Sequence, residues 1–373
     1  METMHYSGYS IGPRFMALSN GSVTDKVTPD MAHLVHPYWN QFPPMDPFWN
    51  KALGAFLTLM GILSFCGNGI VVYIFSTTKS LKTPANLLVL NLAFSDFSMM
   101  LTNCPMMCIN LFFETWILGP MMCDVYALCG SMFGNVSIWS MTMIAMDRYE
   151  VIVKGVSGRP MTIKLAMIKI IMIWTFAAFW TAGPMIGWSR YVPEGNLTSC
   201  GIEYLERDWN PRSYLIGYSL FVYYLPIFMI CHSYWFIIAA VAAHEKAMRE
   251  QAKKMNVKSL RSSEDCDKSA EAKLAKVALT TISLWIVSWT PYLIINCMGL
   301  FKFEGITPLL TIWGATFAKS SSCVNPIVYG ISHPKYRIAL KEKCPCLVCG
   351  STEEPKPNDA ASQGTTGEAE SKA

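Results

Sequence analysis

A lysine in the middle of a long apolar segment constrains this chain more than any other feature. Residues 308–331 have the sequence PLLTIWGATFAKSSSCVNPIVYGI, in which Lys319 is the only charged residue. At about 1.5 Å of rise per residue, Lys319 lies roughly 17 Å into the segment, near the middle of a hydrocarbon layer about 30 Å thick. An ionised amine at that depth costs at least about 2.5–3.5 kcal/mol. We therefore expect Lys319 to be paired, neutral or covalently used.

Two explanations of Lys319 follow from this cost. In the first, the lysine forms a structural ion pair with a buried carboxylate. In the second, burial keeps the amine neutral, and a neutral amine is the nucleophile that condenses with an aldehyde. Ionisable groups inside membranes are usually functional, so the pattern favours the second explanation.

The composition is that of a polytopic membrane protein. The chain has 373 residues, of which 15% are charged, and its mean hydropathy is +0.29. Apolar segments of spanning length predict an all-α membrane protein, a bundle of seven transmembrane helices. Their approximate limits are 53–75, 85–111, 122–146, 165–188, 215–242, 274–295 and 308–331. No charged region followed by a short apolar region precedes the first segment, so we expect that segment to act as the insertion signal.

The distribution of basic residues predicts the orientation. One side of the seven-span arrangement carries Lys79, Lys82, Lys154, Arg159, Lys164 and the basic residues of 246–273 and 335–343. By the positive-inside rule this side is cytoplasmic, which places the N-terminus outside. Glycosylation sequons at Asn20 and Asn196 agree with that orientation. A third sequon, at Asn135, lies within a span and is expected to be unused.

The chain divides into four predicted regions. Residues 1–50 form an extracellular segment, and residues 51–332 form the transmembrane domain. Apolar and basic residues at helical spacing in 333–349 predict a cytoplasmic amphipathic eighth helix with a palmitoylation region. The tail, 350–373, is rich in Ser, Thr, Glu, Gly and Pro and is expected to be disordered.

Five of the thirteen cysteines stand apart from those scattered in apolar helices. Cys123 opens the third span and Cys200 follows the fourth, both on the oxidising side where disulfides persist. Cys344, Cys346 and Cys349 follow the amphipathic segment and are candidates for palmitoylation. A zinc site there would need a fourth ligand that the neighbourhood lacks, so we expect free or acylated thiols and no metal.

Polar residues inside the spans suggest a conformational switch. Asp96, in the second span, is placed to bind a cation or to hydrogen-bond Asn68, Ser137 and Asn325. Arg148, at the end of the third span, would act as a switch if it paired with an acidic residue in one state and released it in another.

Asp147, Arg148 and Tyr149 end the third span at the cytoplasmic border. Glu271, at the start of the sixth span, is the available partner for Arg148. In the alternative explanation, Arg148 only extends its charge to the interface.

Prolines and aromatic residues in the later spans point to a mobile bundle around a cavity. Pro226, Pro291 and Pro326 each lie inside a span, and an interior proline kinks a helix or frees a carbonyl, here in the fifth, sixth and seventh helices. Trp289 and Tyr292 are three residues apart and share a helix face. An aromatic pair alone is more often packing, but near a reactive lysine it favours a pocket.

Taken together, these landmarks resemble those of a rhodopsin-class G-protein-coupled receptor. The resemblance covers nearly the whole chain and rests on Asn68, Asp96, Asp147-Arg148-Tyr149, Trp174, Pro226, Trp289-Thr290-Pro291-Tyr292 and Asn325-Pro326-Ile327-Val328-Tyr329. Lys319, six residues before Asn325, is similar to the attachment lysine of opsins. The segments 244–255 and 333–335 resemble arthropod visual opsins, in particular the major fly compound-eye rhodopsins.

The resemblance implies a photoreceptor and not an enzyme. Lys319 would hold 11-cis retinal or 3-hydroxyretinal as a protonated Schiff base, and light would convert it to the all-trans form and activate a Gq-type G protein and phospholipase C. Implied partners are the G protein, arrestin, a receptor kinase and membrane lipid, with no nucleic acid. The implied location is the plasma membrane of photoreceptor microvilli.

The resemblance also implies roles for individual residues. Cys123 and Cys200 would form a disulfide that holds an extracellular lid. The implied pocket consists of Tyr126, Gly130, Gly134, Tyr223, Trp289 and Tyr292. The implied activation switch consists of Asp96, Asp147, Arg148, Tyr149, Glu271, Asn325, Pro326 and Tyr329.

The counterion of the attached lysine requires a separate argument. A buried positive charge needs a negative partner. Vertebrate visual opsins place a carboxylate three residues after the third-helix cysteine, where this chain has Tyr126. Glu194, in the loop that precedes Cys200, matches the alternative carboxylate of the family. We therefore expect Glu194 to be the counterion and not a solvated loop acid.

Two further sequence details and two alternative functions complete the prediction. Residues 93–105 contain no lysine, whereas insect ultraviolet opsins have one in this region, so visible absorption is expected. His232 replaces a tyrosine that is usual in fly relatives, and we assign it no role.

A retinal photoisomerase would use the same lysine but not the cytoplasmic motifs, and a receptor for a diffusible ligand would leave Lys319 unexplained.

Overall fold

The computed structural model describes residues 21–254, 263–332 and 334–347, with the backbone alone at 252, 263–271, 273–274, 329–332 and 334. Helices account for most of the structure in these ranges. They are α1 (Pro47–Thr77), α2 (Pro84–Phe113), α3 (Gly119–Tyr149), α4 (Ile163–Ala182), α5 (Trp209–Tyr218), α6 (Leu225–Lys254), α7 (Ser263–Phe301), α8 (Pro308–Ser320), α9 (Val324–Ser332) and α10 (Pro334–Lys343).

The predicted seven spans are present in the described residues. Five helical stretches are long and apolar enough to cross a membrane by length and composition, namely 47–77, 84–113, 163–182, 209–251 and 275–301. α3, with 31 residues, is the third span. The fifth span joins α5 and α6 through a π-helical segment, Ser219–Tyr224, and the seventh joins α8 and α9 through a 3₁₀ turn, Ser321–Cys323.

Most spans are longer than their approximate sequence limits, but the fourth is shorter and the seventh is interrupted. The fourth helix ends at Ala182 and not at residue 188, because Gly183 is followed by Pro184, which begins a 3₁₀ turn and cannot donate a helical hydrogen bond. The seventh span was predicted as one helix. Its break directly follows Ser320, within a run of hydroxyl residues whose side chains bond to nearby carbonyls, as Ser322 Oγ does to Lys319 O at 2.9 Å.

A buried β-hairpin lies across one end of the bundle, which we call the lid end. Its strands are β1 (Tyr191–Glu194) and β2 (Ser199–Ile202), which pair antiparallel with Glu194 opposite Ser199. A disulfide joins Cys123 at the start of α3 to Cys200 in β2, as predicted. The hairpin turn includes Gly195 at φ 65°, where an added Cβ would lie 3.1 Å from the Pro308 carbonyl oxygen. The lid is therefore pinned to α3 and packed closely against α8.

Residues of the N-terminal segment cover the lid end further. Short 3₁₀ turns at Val23–Lys26, Ala32–Leu34 and Pro37–Gln41 precede α1. Trp39 is fully buried in the core that includes the hairpin, and Tyr38 donates a hydrogen bond to Ile306 O at 2.8 Å. These contacts join the segment to the loop before α8.

α10 is the predicted amphipathic helix and lies at the opposite end of the bundle. Tyr336 and Ala339 are buried against α1 and α9 in a cluster with Val328. The Tyr336 ring stacks on Phe75 with ring centroids 5.7 Å apart. Arg337 is exposed, so the helix has one apolar and one polar face.

Candidate functional site

A cavity lies beneath the lid, between α3, the fifth span, α7 and α8. The empty space in and around it, open solvent included, is about 870 Å³. Its walls are mainly aromatic and apolar. The predicted pocket residues all line it, namely Tyr126, Gly130, Gly134, Tyr223, Trp289 and Tyr292.

Lys319 reaches this cavity from α8. It lies one residue before the end of the helix, and Ala315 and Ala318 on the same helix also line the cavity. The Lys319 amine lies 5.2 Å from the centroid of the Tyr126 ring, a cation–π geometry. Small neighbours thus leave the amine accessible from inside the bundle.

Glu194 is buried next to the same space. Its side chain is 2% exposed, and the Tyr292 hydroxyl donates to its two carboxylate oxygens at 3.3 and 3.4 Å. Burial raises the pKa of Glu194 from 4.5 to about 7, opposed by the positive charge of Lys319 and the Tyr292 hydrogen bond. Among the described residues no ion pair within 4.0 Å joins Glu194 to Lys319. The two charges interact across a gap under the lid.

Two glycines of α3 allow close packing at the cavity wall. A Cβ on Gly130 would lie 2.7 Å from Asn103 Nδ2, and one on Gly134 would lie 2.8 Å from the Trp289 ring. Contacts this short would force a neighbour to move. Trp289 Nε1 in turn donates to Ser321 Oγ at 3.1 Å, which connects the cavity to the break in the seventh span.

The sequence prediction missed several polar lining residues. Asn103 is buried and donates to Tyr126 O at 3.2 Å, and Asn296 donates to Tyr292 O at 2.8 Å. Asn135 also lines the cavity and had been considered only as a sequon. Helical spacing was the available signal, because Asn135 follows Gly134 and lies one turn after Gly130 and Ser131.

The polar groups around Asp96 form a hydrogen-bonded network. Ser137 Oγ donates to Asp96 Oδ1 at 2.6 Å, and Asn325 Nδ2 donates to Asp96 Oδ2. Asn68 lies in the adjoining part of the network and donates to Ser322 O at 2.8 Å. These contacts match the hydrogen-bonding alternative of the sequence prediction.

The opposite end of the bundle carries the predicted switch residues. Arg148 forms an ion pair with the neighbouring Asp147. The Tyr149 ring contacts His232, with centroids 5.8 Å apart, so His232 is exposed but not without contacts. Pro326 lies in α9 directly after Asn325. The side chains of Glu271 and Tyr329 lie outside the described residues, and the proposed Arg148–Glu271 pair stays a prediction.

The predicted modification sites differ in accessibility. Asn196 is 2% exposed, donates to Asn50 Oδ1 at 2.9 Å and accepts from Thr198 Oγ1 at 2.7 Å. The folded hairpin therefore has no room for a glycan there, contrary to the sequence expectation. Cys344 is half-buried and Cys346 is exposed, both as free thiols. Asn20 and Cys349 lie outside the described residues.

Comparison with known proteins places this arrangement in a family. The model of the 7 transmembrane receptor (rhodopsin family) matches residues 67–329. Opsin Rh1 of Drosophila melanogaster is 72% identical over 373 residues, covering 100% of both chains. Opsin Rh1 of Calliphora vicina is 73% identical over 368 residues, covering 99% of both.

A solved structure agrees with the sequence comparisons. The crystal structure of squid rhodopsin superposes with a TM-score of 0.80 at 38% identity, covering 86% of this chain and 93% of that one. These relatives are receptors and not enzymes. The chain therefore belongs to the rhodopsin family of seven-transmembrane receptors and, within it, to the visual opsins of the fly type.

Proposed function

We propose that this protein is a G-protein-coupled visual photoreceptor that carries 11-cis retinal on the Nζ of Lys319 and activates a Gq-type G protein and thereby phospholipase C. The observation that carries the proposal is the Lys319 amine in a mainly apolar cavity, with the carboxylate of Glu194 buried nearby. An amine in such a site suits an apolar aldehyde.

The cavity fits retinal by shape and chemistry. Its aromatic walls suit a conjugated hydrocarbon, and Gly130 and Gly134 let Asn103 and Trp289 pack closely against α3 at the cavity wall. When bound, retinal would supply the absorption of light and the 11-cis to all-trans isomerisation. The contribution of the chain is to bind, orient and shield it.

Glu194 would stabilise the proton on the Lys319 nitrogen. A carboxylate held under the lid interacts strongly with a nearby cation because little water screens the pair. Tyr292 keeps Glu194 oriented through its hydroxyl, and the disulfide from Cys123 to Cys200 fixes the hairpin that carries it. Burial makes this carboxylate costly to ionise, and its pKa is raised even though the positive charge of Lys319 opposes the shift.

A series of contacts along the seventh span would transmit a change in the cavity toward Arg148. Trp289 bonds to Ser321 at the break in the seventh span, and the neighbouring Ser322 accepts from Asn68 through its backbone oxygen. From there Asn325 bonds to Asp96. The kink that Pro291 allows in α7 supplies a two-state element for this path to bias.

We place the lid end outside the cell and the Arg148 end in the cytoplasm. The G protein, arrestin and a receptor kinase would bind the cytoplasmic end, where Arg148 and Glu271 would form a dark-state clamp. Residues 51–332 would form the receptor domain in the plasma membrane of photoreceptor microvilli. Asn20 is the proposed glycosylation site, because Asn196 is buried.

The direct test is reconstitution of the purified chain with 11-cis retinal in the dark. We expect a visible absorption band in the parent protein and none in Lys319→Ala, with Lys302→Ala on an exposed loop as the matched control. Light should then stimulate nucleotide exchange on a Gq-type protein. A band without exchange would support the photoisomerase alternative, and no band in the parent would overturn the proposal.

A further inference from the structure

A basic surface lies where α10 packs against the end of α1. Residues 78–84 and 334–343 contain six basic residues and one acidic residue. Leu81, in the 3₁₀ turn that follows α1, is buried in the same cluster as Tyr336 of α10. The charges of the two segments are therefore adjacent, at the end of the bundle that we place in the cytoplasm.

Lys343 shows how this basic surface meets the lipid. Its Nζ donates to Thr77 Oγ1 at 2.6 Å and lies 5.2 Å from the centroid of the Tyr73 ring. Tyr73 is 52% exposed near the last turn of α1, a membrane span, so its ring lies where aromatic residues meet the lipid boundary. Lys343 therefore holds its charge at the level of the lipid headgroups.

The protein supplies little negative charge to this surface. In the part of the chain that the structure describes, no carboxylate oxygen lies within 4.0 Å of five of its cations, namely Lys79, Lys82, Lys335, Arg337 and Lys343. Cations that share a surface repel one another. An anion from outside the chain would therefore stabilise this arrangement.

Apolar side chains lie beside these charges. Ile338 is 70% exposed on α10, and Leu347, four residues past its end, is 56% exposed. Exposed apolar groups next to cations suit a membrane surface, where the apolar groups enter the lipid and the cations meet the headgroups. A soluble anion would leave Ile338 and Leu347 in water. The combination therefore favours a lipid as the source of the anion.

We propose that the basic surface binds the headgroup of a polyphosphorylated inositol lipid in the cytoplasmic leaflet. Several phosphates on one headgroup can contact Lys343 at the lipid boundary and Lys79 on the adjacent turn at the same time, whereas phosphatidylserine offers one net negative charge. Clusters of about four to eight cations directly beyond a transmembrane helix favour such lipids. The bound lipid would hold α10 against the end of α1.

The test is lipid binding by the purified chain in detergent, measured by native mass spectrometry during titration with dioctanoyl phosphatidylinositol 4,5-bisphosphate. Lys79→Ala/Lys343→Ala should bind about 25-fold more weakly than the parent, since each lysine contact contributes about fivefold, equivalent to about 1 kcal/mol. Lys79→Arg/Lys343→Arg keeps both charges and should retain most of the affinity. Because the assay needs no chromophore, its result is independent of the function proposed above.

The matched control removes two exposed cytoplasmic lysines outside this surface, Lys164→Ala/Lys276→Ala, and should bind within about twofold of the parent because distant charges are screened. An equal loss in the control would mean that overall charge attracts the lipid, and would overturn the assignment. A monodisperse elution peak reports folding. If the double alanine variant lacks that peak, Lys79→Ala, on an exposed turn, should still show the fivefold step.

The lipid probes decide the identity of the ligand. Equal binding of dioctanoyl phosphatidylserine, or no binding of the inositol lipid to the parent, would overturn the proposal. Equal binding of inositol 1,4,5-trisphosphate, which has no acyl chains, would overturn it in favour of a soluble phosphate.

Discussion

Two carboxylates are buried in this bundle, and their surroundings differ. Asp96 lies between α2, α3 and α9 and accepts hydrogen bonds from Ser137 and Asn325. Glu194 lies under the lid and receives only long hydrogen bonds from Tyr292, at 3.3 and 3.4 Å. Both are 2% exposed, so burial alone does not distinguish them.

Asp96 has its hydrogen-bond partners within the protein, whereas Glu194 would gain its main partner from a bound ligand. Two short hydrogen bonds from neutral donors to Asp96 join three helices. Asp96 therefore contributes to helix packing and to any conformational switch that involves these helices. Glu194 is weakly bonded and lies beside Gly201 and Tyr292, which line the cavity that Lys319 reaches. A buried carboxylate of this kind is stabilised by a positive charge, which attachment of a chromophore at Lys319 would fix in place.

The largest expected effect comes from releasing the lid. Replacing both Cys123 and Cys200 by serine should destabilise the folded protein by about 2–5 kcal/mol, since the crosslink closes a loop of 77 residues. Glu194 would then lose its fixed position, and the yield of visible pigment should fall sharply. Pigment yield at several temperatures measures this. Cys129→Ser, which removes a free thiol, is the control and should keep the parental yield.

Removing the carboxylate of Asp96 should be the next largest effect. Asp96→Leu leaves Ser137 and Asn325 without their acceptor, so stability should fall by about 1–3 kcal/mol. Asp96→Asn keeps an acceptor and should cost less. Thermal unfolding of the chromophore-free proteins compares them. The absorbance maximum should not move in Asp96→Asn. A large spectral shift in this variant would mean that Asp96, like Glu194, acts on the chromophore.

The raised pKa of Glu194 predicts a pH dependence for the chromophore-free protein. Because folding raises this pKa from 4.5 to about 7, the protonated carboxyl favours the folded state. The contribution is fully present below about pH 4.5 and is lost as the pH rises through about 7, with a slope of at most about 1.36 kcal/mol per unit. Melting temperatures across this range should fall with pH in the parent and vary less in Glu194→Gln.

The smallest expected effect is that of Tyr292→Phe. The hydrogen bonds it removes are long, so we expect a loss of about 0.5–1 kcal/mol in the stabilisation of ionised Glu194. Pigment should still form. The pH at which the visible band is lost should move by less than about one unit, which corresponds to 1.36 kcal/mol. A larger shift would mean that Tyr292 itself carries part of the counterion role.

The sequence predicted the central elements of both regions for physical reasons. Lys319 was identified because a charge within an apolar span is costly, and the span pattern itself follows from the need to satisfy backbone groups in lipid. Glu194 was identified through the family resemblance. Its burial depends on the hairpin and on the crosslink to Cys123, which no local pattern shows.

Other features depend on tertiary contacts and were missed or wrong. Asn196 was expected at the surface, but it is buried against Asn50, which lies 146 residues away in the sequence. The π-helical segment Ser219–Tyr224, just before Pro226, was not predicted, and the kink or freed carbonyl expected at Pro226 stays a prediction. The Asn135 amide has no hydrogen-bond partner among the described residues. This state follows from the packing of several helices around the cavity, so spacing alone identified only its position.

The measurement that tests the account most directly is a dark spectrophotometric titration of pigment formed from the parent, Glu194→Gln and Asp96→Asn. If Glu194 stabilises the proton on the Lys319 nitrogen, its neutralisation should lower the pH at which the visible band converts to an ultraviolet band by at least about two units. Asp96→Asn should titrate within about one unit of the parent. A Glu194→Gln pigment that titrates like the parent would contradict the account and assign the counterion to another group.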